Sequence, residues 1–145
     1  MKIVFERIIA ASPETVWSVI TDFSQYGEWN PFVTACEAEL VPGSDIDMQV
    51  CLGGRTRRQV EVVSEVEEGR RFVYRMKPVP LLLRSRRAHE LLAEAPNQTR
   101  YRSTFTLEGW AAPLVAALLG RQLRMGFEGM SDGVKRRAEA LPPSG

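Results

Sequence analysis

The sequence predicts an α+β protein in which an antiparallel sheet of about seven strands packs against one long C-terminal helix. Apolar and polar residues alternate with a period of two through most of residues 32–109, and apolar residues recur at helical spacing over residues 113–141. The chain has 145 residues, of which 44% are hydrophobic, and this is enough for one hydrophobic core. We therefore predict one domain over residues 1–141, followed by a flexible tail over 142–145.

The N-terminal part of the chain predicts one strand and two short helices. Residues 2–10 are largely apolar and β-branched, as in a strand. The segment Ser12-Pro13-Glu14 then supplies an N-cap, a proline at the first helical position and an acidic first turn. A second short helix must end at Asn30-Pro31, because the residue before a proline avoids the helical conformation.

Six further strands are predicted between turns rich in glycine and proline. Gly53-Gly54 is typical of a two-residue hairpin turn. Because one side of most strands is apolar and the other charged, the sheet should have one covered face and one face in water. The predicted strands cover residues 32–41, 45–52, 55–66, 70–77, 85–94 and 99–109.

The predicted C-terminal helix over residues 113–141 has a broad apolar stripe, as expected of a helix that lies across a sheet. Glycine is unfavourable inside a helix by about 1 kcal/mol relative to alanine. Glycines within this one therefore indicate a close backbone approach, a kink or a gap beside a cavity. They are Gly120, Gly126, Gly129 and Gly133.

Composition excludes several classes of protein. No apolar run approaches the ~20 residues that span a bilayer, so no integral membrane segment is predicted. The N-terminus carries Glu6 and Arg7 within its apolar stretch, unlike a secretory signal. Cys36 and Cys51 lack metal-ligand spacing; a disulfide between them is open, but two reduced thiols in a cytoplasmic protein are the default. His89 is the single histidine, so we expect neither a metal nor a cofactor.

Charge is unevenly distributed along the chain. Residues 55–102 contain twelve basic and six acidic side chains, whereas residues 1–54 contain two basic and eight acidic ones. Such a basic block could bind a nucleic acid or an anionic membrane. No interleaved aromatic residues or recognition helix accompany it, so we interpret it as a solvated strand face and expect no nucleic-acid partner.

Several motifs resemble those of one family. Residues 11–17 (ASPETVW), 21–23 (TDF) and 26–32 (YGEWNPF) are similar to the family's segment after the first strand. Residues 97–101 resemble its turn before the last strand, and residues 127–135 resemble the end of its last helix. The chain thereby resembles the START-like (SRPBCC) superfamily. This helix-grip fold is shared by the birch-pollen allergen group, START lipid-transfer domains and bacterial polyketide cyclase/dehydrase-like proteins.

The resemblance implies a curved sheet that grips the long helix, with a cavity between them and two short helices closing one end. It implies a hydrophobic or aromatic ligand, such as a lipid or a polyketide. We expect the protein to be a monomer or a weak homodimer. Strand parity then nominates the residues that face this cavity, because the apolar side of each strand must face the helix. The candidate ligand-binding residues are Trp29, Met48, Val50, Phe72, Tyr74, Met76, His89, Leu91, Tyr101, Ser103, Phe105, Leu119, Leu123, Phe127 and Met130.

The polar members of the inward set are the candidates for chemistry. They are His89, Tyr74, Tyr101 and Arg58, and Arg87 has the same parity as His89. A buried arginine needs a carboxylate or a ligand anion, and a histidine or tyrosine can hydrogen-bond a ligand carbonyl. Two functions remain open: a carrier or sensor without chemistry, and a polyketide cyclase, aromatase or dehydratase. A chaperone-activator-like module that uses the basic face is a weaker third hypothesis.

Overall fold

The computed structural model describes residues 1–142 and shows a seven-stranded antiparallel sheet curled around a long C-terminal helix. The strand order is β1-β7-β6-β5-β4-β3-β2, so β1 is beside the last strand and β2 forms the other edge. The strands are β1 (Lys2–Ile9), β2 (Val33–Ala38), β3 (Asp45–Leu52), β4 (Arg55–Glu67), β5 (Arg71–Met76), β6 (Arg84–Ala95) and β7 (Gln98–Glu108). This confirms the predicted helix-grip fold. The predicted tail lies outside the described residues except for Pro142.

Two short helices follow β1, as predicted. Helix α1 (Pro13–Thr21) begins where the Ser12 hydroxyl accepts a hydrogen bond from the Thr15 amide at 3.2 Å. A 3₁₀ turn (Phe23–Gln25) leads into the one-turn helix α2 (Tyr26–Trp29). The Asn30 side-chain oxygen then accepts hydrogen bonds from the Phe32 and Val33 amides at 3.0 and 2.9 Å. These bonds turn the chain from the helix into β2.

The C-terminal helix α3 (Ala112–Ala140) has two different halves. Its second half is packed into the core through Phe127, Met130 and Val134. Arg7 on β1 binds this half from the side, with 2.7 Å between its Nε and the Asp132 carboxylate. In the first half, residues 112–126, only Ala112 is buried. The helix is therefore anchored at one end and lies over the sheet less tightly at the other.

Three of the glycines in α3 are explained by close approach to residues 29–32, which end α2 and lead into β2. A Cβ at Gly133 would lie 2.8 Å from the Trp29 carbonyl oxygen, and one at Gly126 would lie 2.3 Å from the Phe32 ring. A Cβ at Gly129 would lie 3.3 Å from Pro31. At Gly120 the nearest atom is the Met1 sulfur at 3.8 Å. Of the three explanations left open by the sequence, close approach applies to Gly126, Gly129 and Gly133.

The outer face of the sheet carries much of the basic block, and many of its cations are paired. Arg58 binds Asp47, and Arg84 binds Glu108, at 2.8 and 2.6 Å. Arg100 and Arg102 both bind Glu6, at 3.1 and 2.7 Å, within a wider network on neighbouring strands. These pairs are exposed, and they make this face a surface of alternating charge.

Candidate functional site

A cavity of about 280 Å³ lies between the sheet and the first half of α3, and it is partly open to solvent. Strands β3 to β7 form one wall, the helix forms the opposite wall, and the start of β2 closes the side. Most of its lining is apolar. The lining residues are Phe32, Val33, Met48, Val50, Leu52, Arg57, Gln59, Glu61, Tyr74, Met76, Leu83, Ser85, Arg87, Phe105, Leu107, Val115, Leu119, Leu123 and Phe127.

The exposure of the lining residues shows where the cavity is deep and where it opens. Met48, Tyr74 and Phe127 are buried and form the deep end. Arg57 and Gln59 are exposed, and the other partly exposed lining residues include Leu52, Leu83, Val115 and Leu119. The mouth therefore lies among the β3–β4 hairpin, the β5–β6 loop and the first turns of α3.

Arg87 is the charged residue at the deep end. It is 3% exposed, and its Nη1 donates to the Ser103 hydroxyl at 2.5 Å. The guanidinium carbon lies 4.5 Å from the centre of the Phe127 ring, and Nη2 donates weakly to the Met130 sulfur at 3.6 Å. No carboxylate of residues 1–142 lies within ion-pair distance of it. Arg87 is thus a buried cation held by neutral groups at the edge of an apolar cavity.

Two other ionisable side chains line the same wall. Glu61 is on the neighbouring part of β4 and accepts a hydrogen bond from Gln59 at 3.2 Å. Burial raises the pKa of Glu61, and the Gln59 hydrogen bond and the positive charge of Arg87 oppose this shift. Burial also raises the pKa of Tyr74, whose phenol therefore stays protonated in the neutral range. The wall thus combines a cation, a carboxyl group and a phenol.

His89 and Tyr101 lie in the packed core outside the cavity lining. The His89 Nδ1 is 2.7 Å from the Tyr101 hydroxyl, and the imidazole stacks on Phe72. Trp17 and Phe23, at the closed end of the fold, pack edge-on against Phe72. Burial, and then the charge of Arg87, lowers the pKa of His89 well below its ordinary value. The His89 Nε2 has no hydrogen-bond partner among the described residues.

The structure divides the predicted ligand-binding residues into two groups. One group lines the cavity: Met48, Val50, Tyr74, Met76, Phe105, Leu119, Leu123 and Phe127. The other group faces the core elsewhere: Trp29, Phe72, His89, Leu91, Tyr101, Ser103 and Met130. Within the second group, Ser103 and Met130 hold Arg87 from outside the cavity, as its partners show. Any ligand contact of the second group stays a prediction.

The predicted inward position of Arg58 is wrong. Its guanidinium is exposed and binds Asp47 on the outer face of the sheet. The reason is the hairpin register, in which Leu52 pairs directly with Arg55 across Gly53-Gly54. Paired residues share a face, so the inward side of β4 begins at Arg55 and continues through Arg57.

The same register places residues in the cavity that the sequence analysis did not nominate. Arg57, Gln59 and Glu61 line it from β4. All three could have been found from the sequence. A two-residue turn after the inward-facing Leu52 places Arg55 and every second residue after it on the inward face. Ser85, Leu107 and Val115 continue the inward sides of β6, β7 and α3, so the same periods indicated them although they were not nominated. Phe32, Val33 and Leu83 come from irregular positions, at the start of β2 and in the β5–β6 loop.

The segments described between residues 1 and 142 include no helix that is both long enough and apolar enough to cross a membrane. Cys36 and Cys51 are both free thiols, and burial raises the pKa of Cys36 to about 12. A buried thiol of this kind is inert as a nucleophile at neutral pH. Cys36 is therefore not a candidate nucleophile, and neither cysteine lines the cavity.

Solved structures with the same fold cover nearly the whole chain. A START superfamily protein from Mycobacterium smegmatis is 20% identical, with a TM-score of 0.74 over 97% of this chain and 99% of that one. The Zhui aromatase/cyclase from Streptomyces sp. R1128 is 15% identical, with a TM-score of 0.80 over 96% and 93%. The protein TTHA0849 from Thermus thermophilus is 21% identical, with a TM-score of 0.75 over 97% and 98%.

Sequence comparison gives the family. No curated protein matches the chain at a significant level. The family model described as "Polyketide cyclase / dehydrase and lipid transport" matches residues 1–139. This match spans both short helices, the whole sheet and all but the last residue of α3. The chain therefore belongs to the polyketide cyclase/dehydrase and lipid transport family.

Proposed function

We propose that this protein binds a hydrophobic or aromatic small molecule with an anionic or strongly electron-rich oxygen, and acts as a carrier or sensor. The observation that supports this is the buried guanidinium of Arg87 beside a mostly apolar cavity, without a carboxylate partner among the described residues. A buried cation is costly unless an anion or a set of hydrogen bonds compensates it. A carboxylate, phenolate or enolate of the ligand would supply that anion.

The remaining lining fits the body of such a ligand. Met48, Phe105 and Phe127 offer a thioether and two aromatic rings to the ligand, and Leu119 and Leu123 line the opposite wall from the helix. Methionine side chains adapt to ligands of different outline. The volume of about 280 Å³ is at the lower end of small-molecule pockets, so a larger ligand would extend toward the mouth.

Occupancy of the cavity is tested by filling it. The anionic fluorophore 1-anilinonaphthalene-8-sulfonate should bind the purified protein with one-to-one stoichiometry. Leu123→Trp projects bulk from α3 into the cavity and should abolish binding. The matched control is Met125→Trp, which adds the same ring on an exposed face of the same helix. If Leu123→Trp binds the probe as well as Met125→Trp does, the cavity is not the binding site.

The role of Arg87 is tested by a pair of ligands that differ in charge. Decanoate and decanol have the same chain, and only decanoate offers an anion. Arg87→Gln should weaken decanoate, measured by displacement of the probe, by about tenfold or more while affecting decanol little. An equal loss of affinity for decanoate and decanol would contradict the assigned role of Arg87. Native mass spectrometry of the protein as purified would then identify the ligand class.

A second function is favoured by the meeting of Glu61, Tyr74 and Arg87 on one wall. A polyketide cyclase, aromatase or dehydratase must remove a proton next to a carbonyl. Glu61 would take that proton, and the charge left on the carbonyl oxygen would be stabilised by Arg87. Glu61→Gln should then abolish cyclisation of a poly-β-ketone substrate while keeping binding of the fluorescent probe. Unchanged product formation in Glu61→Gln would remove this assignment.

A further inference from the structure

The mouth of the cavity is bordered by an exposed apolar surface. We call it the mouth surface and define it by Leu81, Leu82, Trp110, Leu114 and Leu118. Trp110 is 81% exposed, Leu81 75% and Leu118 70%. Water-exposed leucines are common singly, whereas a contiguous group with a tryptophan is typical of an interaction site.

The two loops of the mouth surface are held against each other. The Trp110 amide donates to the Leu81 carbonyl and the Ala111 amide to the Leu82 carbonyl, each at 3.0 Å. Gly109 permits this contact, because it has a φ of +114° and a Cβ there would lie 2.2 Å from the Leu82 oxygen. Leu81 itself has a φ of +66°, which is unfavourable for leucine. The backbone thus fixes these apolar side chains in exposed positions.

The segments that form and flank the mouth surface are rich in basic side chains, and Glu108, which directly precedes one of them, is bound to Arg84. Residues 52–58, 77–84 and 109–125 contain seven arginines and lysines and no aspartate or glutamate. Four of these arginines have no ion pair with any of residues 1–142. They are Arg55, Arg57, Arg121 and Arg124.

We propose that the mouth surface docks onto an anionic lipid bilayer, with the leucines and Trp110 at the headgroup level and the arginines on the lipid phosphates. Tryptophan favours this interface, and each arginine near an anionic membrane strengthens binding. A fluid interface accepts exposed apolar side chains without complementary packing. The proposal concerns the surface alone, so it holds whether or not the cavity contains a ligand.

Vesicle flotation of the ligand-free protein tests the proposal. The protein should float with vesicles of equal parts phosphatidylglycerol and phosphatidylcholine, and much less with phosphatidylcholine alone. Binding should fall with added salt, because the phosphate contacts are exposed. The emission of Trp110 should shift to the blue on binding, and Trp110→Phe should remove most of the shift, because Trp17 is buried and Trp29 half-buried.

Two double variants separate the apolar and charged contributions. Each double variant should reduce the fraction of protein bound at limiting lipid about tenfold. One combines Leu81→Ser with Leu118→Ser, and the other combines Arg55→Gln with Arg121→Gln. The matched controls lie far from the mouth. One control combines Val41→Ser with Leu92→Ser, at the end of the sheet opposite the mouth. The other combines Arg136→Gln with Arg137→Gln, in the last turns of α3.

Circular dichroism of every variant checks that the fold is kept. Loss of flotation in the mouth variants, with unchanged flotation in the controls, would support the proposal. Absence of flotation with anionic vesicles would overturn it, as would equal losses in the control variants. Conversion of a wild-type dimer to a monomer by Leu81→Ser with Leu118→Ser would also overturn it, because a second copy of the chain would then cover this surface. Probe binding in the cavity is measured separately, so either proposal can fail without the other.

Discussion

His89 and Arg87 lie two residues apart on β6, and both are buried, but their surroundings differ. Arg87 contacts the Ser103 hydroxyl, the Thr104 carbonyl, the Phe127 ring and the Met130 sulfur. His89 is fully buried between Phe72 and Tyr101, and its pKa falls because the charged imidazolium would be desolvated near Arg87. A neutral imidazole in the core therefore allows the cation to lie at the cavity wall.

The lowered pKa of His89 predicts a pH dependence of stability. The unfolded chain takes up a proton near pH 6.5, whereas the folded protein resists protonation until a much lower pH. Below about pH 6.5 the unfolded state binds more protons, so the free energy of unfolding should fall, by at most about 1.4 kcal/mol per pH unit from this group.

Urea denaturation between pH 7.5 and 5 should measure this dependence. His89→Gln keeps a hydrogen-bonding side chain beside Tyr101 and removes the titration, so it isolates the contribution of His89 from that of the carboxylates. We expect a smaller loss of stability in His89→Gln than in the wild type over this interval. Parallel pH profiles for the two proteins would show that His89 is protonated as readily in the folded state as in the unfolded state.

For single residues, the sequence predicted the face of the sheet on which a side chain lies better than whether that side chain lines the cavity. His89, Tyr101 and Phe72 do face inward, as their alternation indicated, but parity carries no information on the position along the sheet. They lie under α1 and the 3₁₀ turn, outside the cavity lining. On β4 even the face was misjudged. Its valines occur on both sides, since Val62 pairs with the outward-facing Arg75 and Val63 with the inward-facing Tyr74.

At the scale of elements, α3 packs closely against residues 29–32 at the end of α2. Gly126, Gly129 and Gly133 form one side of the helix, and Phe32, Pro31 and Trp29 pack against them in reverse order. The Asn30 hydrogen bonds fix that segment as it turns into β2. The anchored half of α3 is therefore positioned by backbone contact, and the other half extends over the cavity.

This contact predicts opposite effects for two glycine-to-alanine substitutions in one helix. Gly133→Ala would place a Cβ 2.8 Å from the Trp29 carbonyl, so backbone must move, and we expect a loss of about 1–3 kcal/mol. Gly120→Ala meets only the Met1 sulfur at 3.8 Å, so the gain in helix propensity should stabilise the protein by up to about 1 kcal/mol. Thermal and urea denaturation of both variants would measure the difference. A stabilised Gly133→Ala would contradict the tight packing of Trp29.

The elements themselves were predictable, because a strand with one face in water has alternating apolar and polar residues. Strand β3 begins and ends where alternation placed it, at Asp45 and Leu52, and α3 begins one residue before the predicted Pro113. The β5–β6 loop was not predictable in the same way. Its exposed leucines and the left-handed backbone of Leu81 follow no period, so the mouth surface was visible only in the structure.

At the scale of the whole molecule, the fold keeps a cavity and a buried cation that a protein selected only for stability would lose. Filling the space beside Arg87 with apolar side chains would bury more surface and remove an incompletely compensated charge. Binding sites commonly reduce stability in this way, because the groups that wait for a ligand are poorly satisfied without it. Under the proposed function, Arg87 is such a group.

This trade-off predicts that Arg87→Met raises the stability of the ligand-free protein while it abolishes selectivity for anionic ligands. Methionine has a similar length and can lie on Phe127, so we expect the free energy of unfolding to rise by about 1–2 kcal/mol. The matched control is Arg86→Met, next to it on the outer face, where the pair with Glu65 is half exposed at 3.8 Å and the change should be within about 0.5 kcal/mol. Urea denaturation without ligand measures both variants. A destabilised Arg87→Met would mean that the contacts of Arg87 with Ser103 and Thr104 compensate its charge fully, and that the cavity does not wait for an anion.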